Sequence, residues 1–321
     1  MKKQILVLMT ALLIAITGSS VFAQTAYPTK PIRFIVPFPP GGGTDIVARI
    51  ITTKLAENLG VQFIVDNRGG AAGTLGIGTA ATAAPDGYTL MIGQTSNLAI
   101  GPALYSKLPY DTFRDFAPIS LVYETPLAVS VSARSTIKNL KELIGSSKTR
   151  KEGLNFASPG NGTVAHLTGE LIKKTTGMSF VHIPYKGAAQ AIPDLIAGRA
   201  DFYISSLESA KPHMQSGVIR VLAVTSAKRA PDAPDVETVA EAGYKGFEAV
   251  TWWGFLAPAK TPAPIVQKLA AEIDKVLDNP DVMKRLPGNK VAIGPQAFNE
   301  KLKADYKKWA SAVKESGAKV D

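Results

Sequence analysis

Apolar residues follow two patterns along this chain. Short continuous runs stand at 32–38 ("IRFIVPF"), 62–67, 88–94, 126–133, 154–158, 179–185, 201–206 and 219–227. Most lack polar alternation, which predicts strands buried on both faces of a mostly parallel sheet. Between them, apolar positions recur with helical period at 45–59, 74–84, 137–147, 163–176, 187–197, 262–278 and 298–315. Strand–helix alternation of this kind predicts an α/β architecture. Two stretches depart from it: 117–133, and the proline-rich 225–259. They read as two crossings between domains, one domain holding 28–125 plus 247–321 and the other 126–246. A chain that crosses twice makes a hinge, and ligand clefts favour domain interfaces and the C-terminal ends of sheet strands.

The first residues carry a different signal. Lys2 and Lys3 precede an apolar run from Ile5, followed by small residues up to Ala23. This is the pattern of a cleavable secretory leader over 1–23, cut before Gln24, and the run is short for a membrane span. The sequence contains no cysteine, which excludes disulfides, thiolate metal sites and a cysteine nucleophile. An exported chain with no cysteine to carry a lipid points to the periplasm. The formal net charge is +10, with Lys and Arg spread along the chain rather than clustered. That distribution argues against a nucleic-acid interface and leaves a diffuse field favouring an anionic ligand.

The candidate chemistry lies in two loops built alike. After the 32–38 run come Pro39, Pro40, Gly41, Gly42 and Gly43, then Thr44 and Asp45, then a helical face of Ile46, Ile50, Ile51 and Leu55 that Gly60 can end. After the 154–158 run come Ser158, Pro159, Gly160, Asn161 and Gly162, then Thr163, then a face of Val164, Leu167 and Leu171 that Gly177 can end. Thr44 and Thr163 are suited to cap the two helices. A glycine loop opening a helix presents unpaired backbone N–H groups at the positive end of the helix dipole, which is an anion site. Two such ends, one per domain, could clamp a dianion or hold one carboxylate from both sides. The first loop lacks the lysine of a P-loop, and "GIGTAA" (76–81) does not directly follow a strand as a dinucleotide fingerprint would.

Catalytic readings find less. His166, His182 and His213 show no metal spacing; His166 can line the cleft or support its loop, and His182 and His213 read as structural, the latter on a surface turn. Ser135 and Lys138 match S-x-x-K, but the companion S-D-N and K-T-G motifs are missing. Ser135 is read instead as the cap of the helix that follows. No cofactor, metal or catalytic residue is expected.

The motifs "YPTKPIRFIVPFPPGGGTDIVAR", "PDGYTLMIG", "NFASPGNGTVAHL", "HIPYKGAAQAIPDLIAGRADF", "RVLAVTSAKR" and "PDVETVAEAG" followed by "WWGFLAPAKTP" resemble, in order and spacing across the chain, the Bug-type solute receptors of tripartite tricarboxylate transporters. The resemblance implies a two-domain periplasmic binding protein, type II-like, with its ligand cleft between two mostly parallel sheets flanked by helices. It implies ligand-binding roles for Pro40, Gly41, Gly42, Gly43, Thr44 and Asp45, and for Ser158, Gly160, Asn161, Gly162, Thr163 and His166. It further places Thr95, Asn97, Tyr185 and Asp201 on the cleft, with Ser205 and Trp253 beside it. The implied function is capture of a small organic acid by a monomer and its delivery to the permease subunits of the transporter, with no nucleic-acid partner. A sensory receptor for a signalling partner and a serine hydrolase using Ser135 and Lys138 are the alternatives.

Overall fold

The computed structural model describes residues 27–286 and 289–316; the leader segment 1–23 lies outside them. The chain first lays down β1 (Ile32–Val36), α1 (Gly43–Leu59), β2 (Phe63–Asn67), α2 (Thr74–Ala81), β3 (Thr89–Gln94) and the short α3 (Gly101–Leu104). A 17-residue strand, β4 (Phe116–Ser132), follows. The second half repeats the pattern with α4 (Leu140–Thr149), β5 (Leu154–Ser158), α5 (Val164–Thr176), β6 (Phe180–Pro184), α6 (Ala188–Ile196), β7 (Phe202–Ser206), α7 (Leu207–Gln215) and β8 (Ile219–Val224). The return brings β9 (Val250–Pro258), α8 (Ala263–Leu277), α9 (Pro280–Arg285), β10 (Asn289–Ile293) and α10 (Pro295–Ser316).

The strands run in the order β2-β1-β3-β9-β4-β7-β5-β6, with β8 and β10 also paired to β4. β1 pairs in parallel with β2 and β3, and β5 in parallel with β6 and β7. These are the buried runs, joined by helices as parallel strands require. The strands between the two groups pair antiparallel: β9 with β3 and β4, and β4 with β7, β8 and β10. The sheet is therefore mixed, parallel on its flanks and antiparallel at its centre. β9 lies inside the stretch that reads as an irregular return, because its "VTWWGFLAP" run is hidden among prolines and glycines on either side.

β4 belongs to both halves. Up to Pro126, which pairs with Val250, it lies against β9; from Leu127 onward it pairs with β7 and β8. The change of partner falls at a proline, which has no N–H for the ladder. Thr225 braces this point. Fully buried, its hydroxyl accepts from Leu127 N (2.8 Å) and donates to Ala249 O (2.5 Å), joining β4 to the two ends of the returning segment. On the far side, α10 packs against β4 and α5, with Trp309 and Val313 in one apolar cluster with Leu167 and Leu127. One helix thus straps both halves.

Two local expectations are corrected. The helix after Ser135 starts later, and its cap is Asn139, whose side chain accepts from Glu142 N (2.9 Å); Ser135 Oγ instead accepts from Ile137 N (3.2 Å) in a tight turn. His213 lies in the last turn of α7 rather than on a turn. Pro212 within that helix reads in the sequence as a break.

Thr225→Val keeps the shape and removes the brace, leaving the Leu127 N–H buried without its partner. An unsatisfied buried donor costs about 1–3 kcal/mol. Urea unfolding is expected to show a loss of that size, and an unchanged midpoint would show that the brace contributes nothing.

Candidate ligand site between the two halves

Both glycine loops sit at the C-terminal ends of the parallel strands and face each other. α1 begins at Gly43 with Gly42 as its cap, in extended backbone (φ −85°) and with no side-chain capping bond. Thr44 is therefore not the cap. It lies inside the first turn, and its hydroxyl accepts from Trp253 Nε1 (2.9 Å). α5 is capped as expected: Thr163 Oγ1 accepts from His166 N (3.3 Å) and donates to Gly160 O (2.7 Å).

The first free N–H of each helix reaches across the gap. Gly43 N–H donates to Ser209 Oγ on α7 (2.8 Å), and Val164 N–H donates to Ser96 Oγ in the turn after β3 (2.9 Å). Each half thus supplies a helix N-terminus and a serine that meets the other's. Between them lies a narrow cleft of about 50 Å³, lined by Gly42, Gly43, Thr44 and Trp253 from one side, Thr163, Val164 and Ala165 from the other, and by Ser96, Ser206, Ser209, Gln94 and Thr251. Among the described residues, no charged side chain lines it. Having accepted an N–H, Ser96 and Ser209 keep their own O–H to donate, so each can relay the helix dipole into the cleft. A larger chamber, lined by Pro40, Asn67, Tyr105, Gly160, Asn161, Tyr185 and Lys186 among others, opens outside it. Phe38, Pro39, Pro159 and Gly187 line both.

The charged and imidazole groups expected at the site support the loops instead. The Asp45 carboxylate accepts from Gly41 N (3.0 Å), Arg49 Nε (2.9 Å) and Asn67 Nδ2 (2.9 Å). Burial alone would raise its pKa; the Arg49, Gly41 and Asn67 bonds outweigh burial and hold it below the usual carboxylate value. Ser158 is fully buried, its Oγ 2.7 Å from His182 Nε2. His182 stacks on His166 with centroids 4.1 Å apart, and His166 Nδ1 accepts from Gly162 N (3.2 Å). Desolvation lowers His166 to about 4, and desolvation with the neighbouring His166 lowers His182 to about 3. Both rings are neutral props under the second loop.

The remaining expected positions divide. Gly42, Gly43, Thr44 and Thr163 line the inner cleft, and Pro40, Gly160, Asn161 and Tyr185 the outer chamber. Tyr185 Oη donates to Asp194 Oδ2 (2.7 Å). Thr95 and Asn97 are buried behind the cleft: Thr95 Oγ1 accepts from Trp252 N (3.0 Å) and Asn97 Oδ1 from Gln94 N (3.0 Å). The segment after β3 winds into a π-type turn (Ser96–Ile100), which turns the intervening Ser96 to the cleft. Asp201 stands at the opposite end of β7, paired with Arg150 Nη1 (2.7 Å) and Asn155 N (2.8 Å). Ser205 is fully buried, its hydroxyl donating to the Ser206 carbonyl oxygen (3.2 Å), and its neighbour Ser206 lines the cleft. The sequence patterns do not single out Ser206 and Ser209, although "SSLESA" ends a strand just as the two glycine loops do. Ser135 and Lys138 form no catalytic pair: Lys138 Nζ reaches the Ser135 carbonyl oxygen (3.4 Å), not its hydroxyl.

Residues 47–317 match the model of the tripartite tricarboxylate transporter family receptor. The protein BugT of Bordetella pertussis is 36% identical over 298 residues, covering 92% of this chain and 91% of BugT. Rpa4515 of R. palustris, solved with adipate, superposes with a TM-score of 0.87 at 34% identity, over 92% of this chain and 100% of that one. MatC of Rhodopseudomonas palustris, solved with malate, superposes with a TM-score of 0.83 at 32% identity, over 89% and 100%.

A methyl group at position 43 would lie 2.3 Å from Ser206 Oγ and 3.3 Å from the Trp253 ring. Gly43→Ala is therefore expected to wedge the halves apart, at the cost of about 1–3 kcal/mol typical of overpacking, and to enlarge the radius of gyration in solution scattering. Adding Ser206→Ala should reverse part of it. An unchanged radius in the single variant would show that the contact does not hold the halves together.

The histidine pair predicts a pH effect. Both imidazoles are harder to protonate folded than unfolded, so they cost nothing above about pH 6.5, and stability is lost as pH falls from there toward 4. Chemical unfolding at neutral and mildly acid pH should show the loss, and His182→Gln should shrink it. An equal loss in that variant would assign the slope elsewhere.

Proposed function

The chain belongs to the tripartite tricarboxylate transporter receptor family, and from that premise we propose that it is a periplasmic receptor that closes over a small organic acid and delivers it to a membrane permease, with no catalytic step. The observation that carries the reading is the facing pair of helix N-termini whose N–H groups meet serines from the opposite half. A hydrogen bond to a neutral acceptor contributes about 0.5–1.5 kcal/mol and one to a charged group about 1.5–3. A carboxylate held by these N–H groups and serine hydroxyls therefore stabilises the closed arrangement more than the serines do between themselves. Such contacts exist only when the halves meet, which is how ligand binding drives closure. Rpa4515 with adipate and MatC with malate are solute-binding relatives carrying dicarboxylates, and this supports the same ligand class here.

In this reading the domains are 28–125 plus 247–321 and 126–246, hinged at the β4 change of partner and at the return after β8. The inner cleft reads the carboxylate through Gly42, Gly43, Thr44, Ser96, Thr163, Val164, Ser206 and Ser209. The outer chamber takes the rest of a longer acid. The leader 1–23, cut before Gln24, exports the protein, which acts as a monomer.

A thermal-shift panel of mono-, di- and tricarboxylates on the mature protein, refolded to strip carried-over ligand, tests this. A ligand at a hundred times its dissociation constant stabilises by about 2.7 kcal/mol, and shifts of that order are expected for certain carboxylates only. Shifts with sugars or phosphate alone would overturn the carboxylate reading.

A further inference from the structure

Glu208 is an acid that the ligand cleft does not use. It stands in the first turn of α7 between Ser206 and Ser209, is 2% exposed, and among the described residues neither carboxyl oxygen has a hydrogen-bond partner. Tyr123 Oη and Thr125 Oγ1, on β4 just before its change of partner, are also buried and partnerless. With Ser206 they are the hydroxyls whose proximity lowers this carboxyl's pKa, against the larger effect of its burial. The four residues come from both halves.

The charged neighbours leave the group uncompensated. On its own helix, Lys211 pairs with Asp232 (3.6 Å), and Asp232 also bears on Tyr123. From α1 the recess receives Ile46 and Ile50, and from α9 it receives Lys284 and Arg285, neither of which reaches the carboxyl. From β4, Tyr123 and Thr125 approach the carboxyl, while Glu124 between them pairs with Lys301 (3.4 Å). A buried carboxylate with no partner is costly, whereas a protonated one becomes a donor to surrounding hydroxyl oxygens.

We propose that Glu208 takes up a proton when the two halves close, so that ligand capture is coupled to proton binding. The inference rests on the receptor reading above. The recess around Glu208 is walled by α1 of one half and α7 of the other, and the Gly43–Ser209 bond ties the same two helices. Separating the halves admits water to the carboxyl. Burial raises it to about 7 in the closed structure, against about 4.3 in water. The closed state then holds more protons, so closure is favoured on the acid side and weakens as pH rises through about 7. His166 and His182, under the second loop, have released their protons well below this window.

Calorimetry with adipate and malate in two buffers of different ionisation enthalpy, at about pH 6 and about pH 8.5, measures the coupling. The expected result at about pH 6 is uptake of close to one proton per ligand, with affinity about tenfold weaker at about pH 8.5. Glu208→Gln should keep the acid-side affinity at both, and it gives the baseline for the ligands' own titration. Small-angle scattering on the wild-type protein without added acid gives a second reading: the radius of gyration should be larger at about pH 8.5. Buffer-independent heats, or, where neither acid binds, identical scattering at both pH values, would overturn the proposal. If neither acid binds while scattering still changes with pH, the carboxylate reading fails and the proton coupling stands.

Discussion

The exchange of backbone N–H groups for serine hydroxyls across the cleft is the constraint that organises this molecule. Gly43 N–H and Val164 N–H are the leading donors of two helices, and each lies where an unpartnered group would be costly. Each finds its acceptor in the opposite half. That requires both halves to end their parallel strands at one surface, which the matched β1-β2-β3 and β5-β6-β7 groups achieve. It also requires position 43 to carry no side chain, because Ser206 and Trp253 occupy that space.

Charge is kept out of the cleft by being satisfied elsewhere. Asp45 turns back to its own loop and to Arg49 and Asn67, fixing the glycine turn without presenting a negative charge to an incoming acid. His166 and His182 are held neutral by burial and support the second loop through Gly162 and Ser158. What remains lining the cleft is a set of neutral donors, two helix starts and the serines that meet them. Pro126 stands where β4 changes partner, Thr225 bridges that point, and α10 spans both halves.

The elements with strong periodicity were legible in the sequence. The buried runs at β1, β5 and β7 and the helices α1, α5 and α8 stand within a few residues of where their patterns put them. So do the two glycine loops, because Gly and Pro mark turns through their own backbone limits. β9 and α7 were not legible. Their signals are local to runs crowded by proline and glycine, and what makes them strand and helix is a neighbour distant in the chain: β3 and β4 for β9, β4 and α1 for α7.

The sequence by itself determined that there would be two strand-to-helix glycine turns, each opening a helix whose first N–H groups lack intrahelical partners. These follow from residue type and spacing, which act within a few residues of chain. Only the tertiary structure decided which side chains share the cleft. Ser96 faces it while Thr95 and Asn97 do not, because a π-type turn sets the direction of each side chain. Ser206 faces it while Asp201 does not, because a strand has two ends and only one meets the opposite half. Ser209 belongs to it because α7 packs beside α1. Contacts between residues far apart in the chain set these directions, and no spacing in the sequence encodes them.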